Sequence, residues 1–258
     1  MKYKAEDEKR LMTEIWSVNV KDDPLNFVKF AFPWGMKDTP LEDFKGPRKW
    51  QEKILREMTI HIARNGTRDL PEMFRMAVAS GRGIGKSALV SWIILWMLST
   101  RLGATIIVTA NTEQQLRSRT WAELGKWMTL SINSHWFHKT ATTVKPAPWF
   151  QEALERDLKI DTGYYYAQAQ LWSEENPDAF AGIHSSYGVC LIMDEASGIP
   201  SPIYSVSEGF FSEPTSNRYW FTFSNPRRNT GPFYDSFNSK KRFWQNVQID
   251  SRTVEGTD

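Results

Sequence analysis

Phe74-Arg-Met-Ala-Val-Ala-Ser-Gly-Arg-Gly-Ile-Gly-Lys-Ser87 joins an apolar run to a glycine-rich turn and then to a Gly85-Lys86-Ser87 triplet that opens a second apolar segment. Glycines at 81, 83 and 85 permit positive φ and close backbone approach, so several N–H groups can point inward at an anion, and a helix N-terminus adds partial positive charge. That is the construction of a phosphate cradle. The backbone from Ser80 through Gly81, Gly83, Ile84, Gly85, Lys86 and Ser87 to Ala88 would wrap the phosphates. Lys86 would reach the β/γ-phosphates and the Ser87 hydroxyl would take a position on Mg²⁺. The usual spacing G-x-x-x-x-G-K-[ST] asks for glycine at position 80, where this chain has Ser80. The flanks supply the required context: Met76 to Ala79 reads as a buried strand and Ala88 to Leu98 as a buried helix.

The 258 residues are 41% hydrophobic and 14% aromatic, which implies a substantial core and excludes global disorder. A net charge of +2 does not by itself point to a nucleic-acid partner. The single cysteine, Cys190, excludes an intramolecular disulfide and a cysteine-cluster metal site, and suits a reducing compartment. Met1 to Arg10 lacks an apolar signal core and the run Ala88 to Leu98 is too short to span a bilayer, so a soluble, cytosolic protein with no membrane partner is expected.

Residues 1–45 combine a charged start with a Pro- and aromatic-rich stretch, read as an N-terminal arm or helix lying on the main domain. Pro47 stands where a first helical residue would, followed by Trp50, Ile54, Leu55, Met58 and Ile62 at helical spacing. Ala104 to Thr109 reads as a β-branched strand, and Thr112-Glu-Gln-Gln115 has capping-box form before a helix marked by Leu116, Leu124, Trp127 and Met128. Thr142 to Val144 and Leu158 to Ile160 are short strand candidates. Val189 to Met193 and Tyr219 to Phe223 are apolar runs that end in polar clusters. Strands alternating with helices predict an α/β fold with a mostly parallel, doubly wound sheet flanked by helices and ligands at the carboxyl ends of the strands.

The run Val189 to Met193 ends in Asp194-Glu195. Beside a phosphate cradle, Asp194 would hold Mg²⁺ and Glu195 would orient and polarise the water that attacks the γ-phosphate. An acid adjacent to the metal-binding one points to ATP hydrolysis rather than a GTP switch, and no guanine-selective Asn-Lys-x-Asp stretch is present. Four stretches then carry a family resemblance: Ser80-Gly-Arg-Gly-Ile-Gly-Lys-Ser87, Thr109-Ala-Asn-Thr-Glu-Gln-Gln115, Ala179 to Pro200 through Asp194-Glu195, and Ser224-Asn-Pro-Arg-Arg-Asn-Thr-Gly-Pro-Phe233. Over about residues 47–250 the chain resembles the ATPase domain of a tailed-bacteriophage terminase large subunit, a motor that packages viral DNA.

The resemblance implies a P-loop NTPase of the additional-strand (ASCE) type, with ATP and Mg²⁺ as cofactors. By the same likeness Arg82 would stabilise the transferring phosphate from within the subunit, and Ser224 with Asn225 would form a segment that senses the γ-phosphate. Gln51 would stand at the place of an adenine-recognising glutamine. Arg117 and Arg119 are candidates for an arginine donated to a neighbour in a homo-oligomeric ring, although both also read as solvated charges on an amphipathic helix. The partners implied are double-stranded DNA, a portal protein and a small terminase subunit, in the host cytoplasm. Large terminases also carry a nuclease domain. The tail after Phe233 is too short for one, since domains below ~40 residues rarely fold unaided, so no DNA cleavage is expected and residues 251–258 read as the start of a linker. The domains expected are thus the arm 1–45, a P-loop ATPase domain 46–250 and that linker. Two alternatives stand beside the packaging motor: a helicase-like nucleic-acid-remodelling ATPase, and a nucleotide-binding assembly module without turnover.

Overall fold

The computed structural model describes residues 4–255; the first three residues of the expected arm and the last three of the expected linker lie outside them. The chain opens with α1 (Ala5–Ile15), α2 (Val18–Lys21), α3 (Pro24–Ala31) and α4 (Lys49–Asn65), followed by β1 (Phe74–Ser80), α5 (Lys86–Thr100) and β2 (Thr105–Ala110). Then come α6 (Glu113–Gln115), α7 (Ala122–Leu130), β3 (Phe137–Lys139), β4 (Thr143–Pro146), α8 (Pro148–Asp157) and β5 (Tyr166–Ala169). The chain continues with β6 (Val189–Asp194), α9 (Ser201–Ser207), β7 (Arg218–Ser224), α10 (Pro232–Phe237) and β8 (Gln245–Ile249).

One sheet holds all eight strands in the order β3-β4-β5-β2-β6-β7-β1-β8. From β5 to β8 every neighbouring pair is parallel, and β3 and β4 add an antiparallel edge. The strand that leads into the glycine-rich turn is therefore not beside the strand that ends in the acidic pair. β7 is inserted between them, in register with both (Ala79 opposite Ser224, Asp194 opposite Phe223). That order, with helices on both faces, is a P-loop NTPase fold with the additional strand. It brings the carboxyl ends of β1, β7 and β6 side by side.

Every residue of β2 and β6 is buried, as parallel strands covered on both faces require. α5 is apolar all round, and Leu89 through Thr100 are buried without a break, so it is a core helix rather than a surface one. It packs with α3 and α7 over one sheet face, together with Ile15, Phe27, Trp96, Trp136 and Phe221. A second core on the other face gathers Ile203, Phe210, Trp220 and Phe233 around α9 and α10. Each fully buried Leu, Ile or Phe contributes roughly 1.5–3 kcal/mol, so these two layers dominate the stabilising side of folding.

The segment from Trp16 to Asp22 is stitched to the end of α5. Trp16 Nε1 donates to the Ser99 carbonyl (3.0 Å), one of the acceptors that a helix end leaves without an intrahelical partner. In return, Trp96 Nε1 and the Arg101 guanidinium donate to the Lys21 carbonyl (2.9 and 2.8 Å). Arg101 also pairs with Asp22 (2.9 Å) and stacks over the Trp96 ring at 4.7 Å.

Two expectations need correction. Helix α4 begins at Lys49, not at Pro47, because Arg48 is its N-cap and Gln51 Oε1 accepts the Arg48 N–H (2.8 Å). Leu158 to Ile160 is not a strand: Pro148 starts α8, which runs to Asp157, and Lys159 then turns the chain at φ +56°. Two basic clusters, Arg227-Arg228 and Lys240-Lys241-Arg242, lie apart in the fold. The first pair follows the carboxyl end of β7 while the triplet precedes the amino end of the parallel strand β8, so they lie at opposite ends of the sheet.

Candidate active site

The turn from Gly81 to Gly85 links β1 to α5, and its glycines are needed for different reasons. Gly83 and Gly85 sit at φ +74° and +91°, in the region that L side chains avoid. Gly81 has an ordinary φ, but a Cβ there would lie 2.5 Å from Ser251 Oγ. Ser80 has no such requirement: it closes β1 as a buried strand residue opposite Ile249, which is why serine is tolerated at that position.

Gln51 and Trp50 hold the turn from behind. Gln51 is buried; its Nε2 donates to the Gly85 carbonyl (2.8 Å), and Trp50 Nε1 donates to the Ile84 carbonyl (3.2 Å). With Oε1 taken by the Arg48 N–H, the Gln51 amide braces the loop in this structure. Gly85→Ala is expected to cost about 1–2 kcal/mol from the left-handed backbone alone. The new Cβ would also fall 2.9 Å from Gln51 Nε2, so chemical denaturation should show at least that loss.

Lys86, the first residue of α5, points its ammonium into the molecule: Nζ is buried and has no hydrogen-bond partner among the described residues. Burial lowers its pKa below the ordinary lysine value. The carboxylates of Glu195 and then Asp194 oppose that shift, and Arg82 adds to it. Those are the charges Lys86 meets. The structure thus brings Arg82, Lys86, Asp194 and Glu195 to one place, although more than a hundred residues separate the loop from the acids. A buried, unpartnered ammonium at a helix N-terminus, facing two acids, fits a phosphate chain with its divalent ion.

Asp194 is the last residue of β6, and its two oxygens are both engaged. Oδ1 accepts the Glu195 N–H (3.0 Å) and Oδ2 accepts Thr120 Oγ1 (2.7 Å). Glu195 itself sits at φ +50°, ψ +41°, one of three non-glycine residues with positive φ among those described. A left-handed non-glycine residue costs of order 1–3 kcal/mol and persists only where its surroundings over-determine it. Here the Asp194 carboxylate holds its N–H and the Gly198 N–H holds its carbonyl (3.0 Å).

The end of β7 is joined to this turn. Ser224 is fully buried; its Oγ accepts the Ser197 N–H (3.1 Å) and donates to Ser197 Oγ (2.8 Å), and Ser197 Oγ donates to the Asn225 carbonyl (3.2 Å). The turn that follows Glu195 is thus bonded, two residues on, to Ser224 and Asn225. Beside them a cavity of 780 Å³ opens between Gly81, Asn225, Arg228, Tyr234 and Ser251.

Arg117 and Arg119 lie on the exposed side of the π-helical turn Leu116–Trp121, where Arg117 pairs with Glu113 (2.7 Å). Two residues of the site were not singled out from the sequence, Thr120 and Ser197. Each is a common hydroxyl residue whose partner lies across the fold, so only the sheet order reveals it.

The curated proteins contain a relative, the probable terminase large subunit of Enterobacteria phage P7, that is 30% identical over 168 residues. The chain resembles a phage terminase large subunit. The matched region is 62% of this chain and spans only 30% of the length of that relative. Two solved structures of the large terminase from the thermophilic bacteriophage D6E share the fold. One superposes with a TM-score of 0.51 at 14% identity over 79% of this chain and 45% of that one. The other gives 0.50 at 11% identity over 82% and 47%. No protein-family model matches the chain.

Proposed function

We propose that this chain is the ATP-hydrolysing motor part of a DNA-packaging terminase, coupling Mg-ATP turnover to translocation of double-stranded DNA into a procapsid. One observation carries the reading: the Lys86 ammonium, buried and without a hydrogen-bond partner among the described residues, lies within electrostatic reach of Glu195 and Asp194, and the turn after that pair is bonded to the end of β7.

The residues divide the work. The backbone of residues 80–88 and the Lys86 ammonium bind the phosphates, with Gln51 bracing the loop at the place where the family resemblance puts adenine recognition. Ser87 and Asp194 would hold Mg²⁺, which when bound neutralises charge between the phosphates. Glu195 orients a water and accepts its proton, Arg82 stabilises charge on the transferred group, and Ser224 with Asn225 relays the loss of that group toward the DNA-handling surface. Residues 46–250 form the motor, and the described part of the arm 1–45 packs on it through residues such as Ile15, Phe27 and Val28. In the working state copies form a ring in the host cytoplasm with portal protein and small subunit, where Arg117 or Arg119 reaches a neighbour's site.

A triplex-displacement assay tests this reading. Under ATP and Mg²⁺, at concentrations that drive self-association, the chain should strip a third strand from duplex DNA without separating the duplex. Separation of the duplex strands would favour a helicase instead. ATP bound but never hydrolysed, even by the assembled protein, would favour an assembly module.

A further inference from the structure

We infer that Thr120 is a positioning residue for the metal-binding carboxylate, and that the π-helical turn exists to hold it there. The inference rests on the proposed role of Asp194 and deepens it. From Glu113 to Leu130 the chain is one helix interrupted at Leu116–Trp121 by a π-helical turn, a rare form found mostly at functional sites. Residues five apart on an uninterrupted α-helix point about 140° apart. Here Leu116 and Trp121 are both buried, and Trp121 Nε1 reaches the Thr140 carbonyl (3.2 Å). Thr120, between them in the turn, is fully buried and donates to Asp194 Oδ2 at 2.7 Å. The π-helical turn accommodates both anchors, Trp121 in the core and Thr120 on the acid.

The consequence for Asp194 is geometric. A carboxylate pinned at one oxygen can still turn about its Cβ–Cγ bond. Pinned at Oδ1 by the Glu195 N–H and at Oδ2 by Thr120, its plane is set, and each oxygen keeps a lone pair for another contact. Donors that orient a ligating carboxylate in this way are worth ~10–100-fold in metal affinity. The same turn carries Arg117 and Arg119 on its exposed side, so whatever holds the turn also places them.

The test uses the full chain with a non-hydrolysable ATP analogue, titrating Mg²⁺ by calorimetry and repeating the binding in EDTA. Thr120→Val keeps the shape and removes the donor; it should raise the Mg²⁺ concentration at half-saturation by ~10–100-fold and leave metal-free binding of the analogue unchanged. Thr120→Ser restores the donor and should restore the Mg²⁺ dependence. Should the valine variant not fold, Thr120→Ala serves in its place. A wild-type Mg²⁺ dependence in the donor-less variant overturns the inference, as does an equal loss of binding in EDTA, or a serine variant as impaired as the valine. These outcomes leave the nucleotide site itself standing. A wild-type chain that binds the analogue with no response to Mg²⁺ overturns the reading of Asp194 as well.

Discussion

Glu195→Gln should reduce ATP hydrolysis by ~10²–10⁴-fold, the range typical for loss of a positioned general base, while the chain still binds ATP. The substitution keeps size and hydrogen-bonding capacity and removes only the ability to take a proton. Binding should hold or tighten, because one negative charge disappears from beside the triphosphate. The backbone explains why a nearby acid cannot substitute. Glu195 occupies a left-handed conformation fixed at its N–H by Asp194 and at its carbonyl by Gly198, and Asp194 is itself committed to two donors. Single-turnover hydrolysis beside nucleotide binding by calorimetry reads both effects. Unchanged hydrolysis in the glutamine variant would remove Glu195 from its assigned role.

Lys86→Met should abolish measurable turnover and weaken ATP binding by at least ~10²-fold, the scale at which loss of one preorganised charged donor is felt. The variant should also unfold at a higher temperature than the wild type when no nucleotide is present. Burial lowers the Lys86 pKa below its unfolded value, so at neutral pH the folded chain holds a charged group less readily than the unfolded chain does. That cost is present wherever lysine is charged in the unfolded chain and fades only as pH rises toward the lysine range. Methionine removes it and fills the same space. A residue retained for stability would behave in the opposite way, with Lys86→Met lowering the melting temperature of the nucleotide-free protein. Added ATP should then raise the melting temperature of the wild type and not that of the variant.

The parts of this fold legible in the sequence are those whose signal is local. β1, α5, β2, β6 and β7 are long, mostly apolar runs whose bounds in the sequence agree with the structure to within two residues, because burial on both faces leaves few polar positions to confuse the period. The cap at Thr112 was legible for the same reason: its side chain accepts the Gln115 N–H three residues on. β3, β5 and β8 were not read, being short or alternating edge elements such as Gln245-Asn-Val-Gln-Ile249, whose strand character comes from pairing with β1. The π-helical turn was invisible because Leu116, Trp121 and Leu124 satisfy a helical pattern loosely. At the site, the loop and the acidic pair are contiguous motifs and could be found. The bonds of Thr120 to Asp194 and of Ser197 to Ser224 join residues 74 and 27 positions apart, and no local pattern marks them.

A structure of the chain with a non-hydrolysable ATP analogue and Mg²⁺ tests the central claim most directly. The account predicts the triphosphate wrapped by residues 80–88 with Lys86 Nζ on its β/γ oxygens, Mg²⁺ between Ser87 and Asp194, and the Glu195 carboxylate facing the γ-phosphate. Nucleotide seated instead in the cavity between Arg228 and Tyr234, with Lys86 remote from every phosphate oxygen, would contradict it.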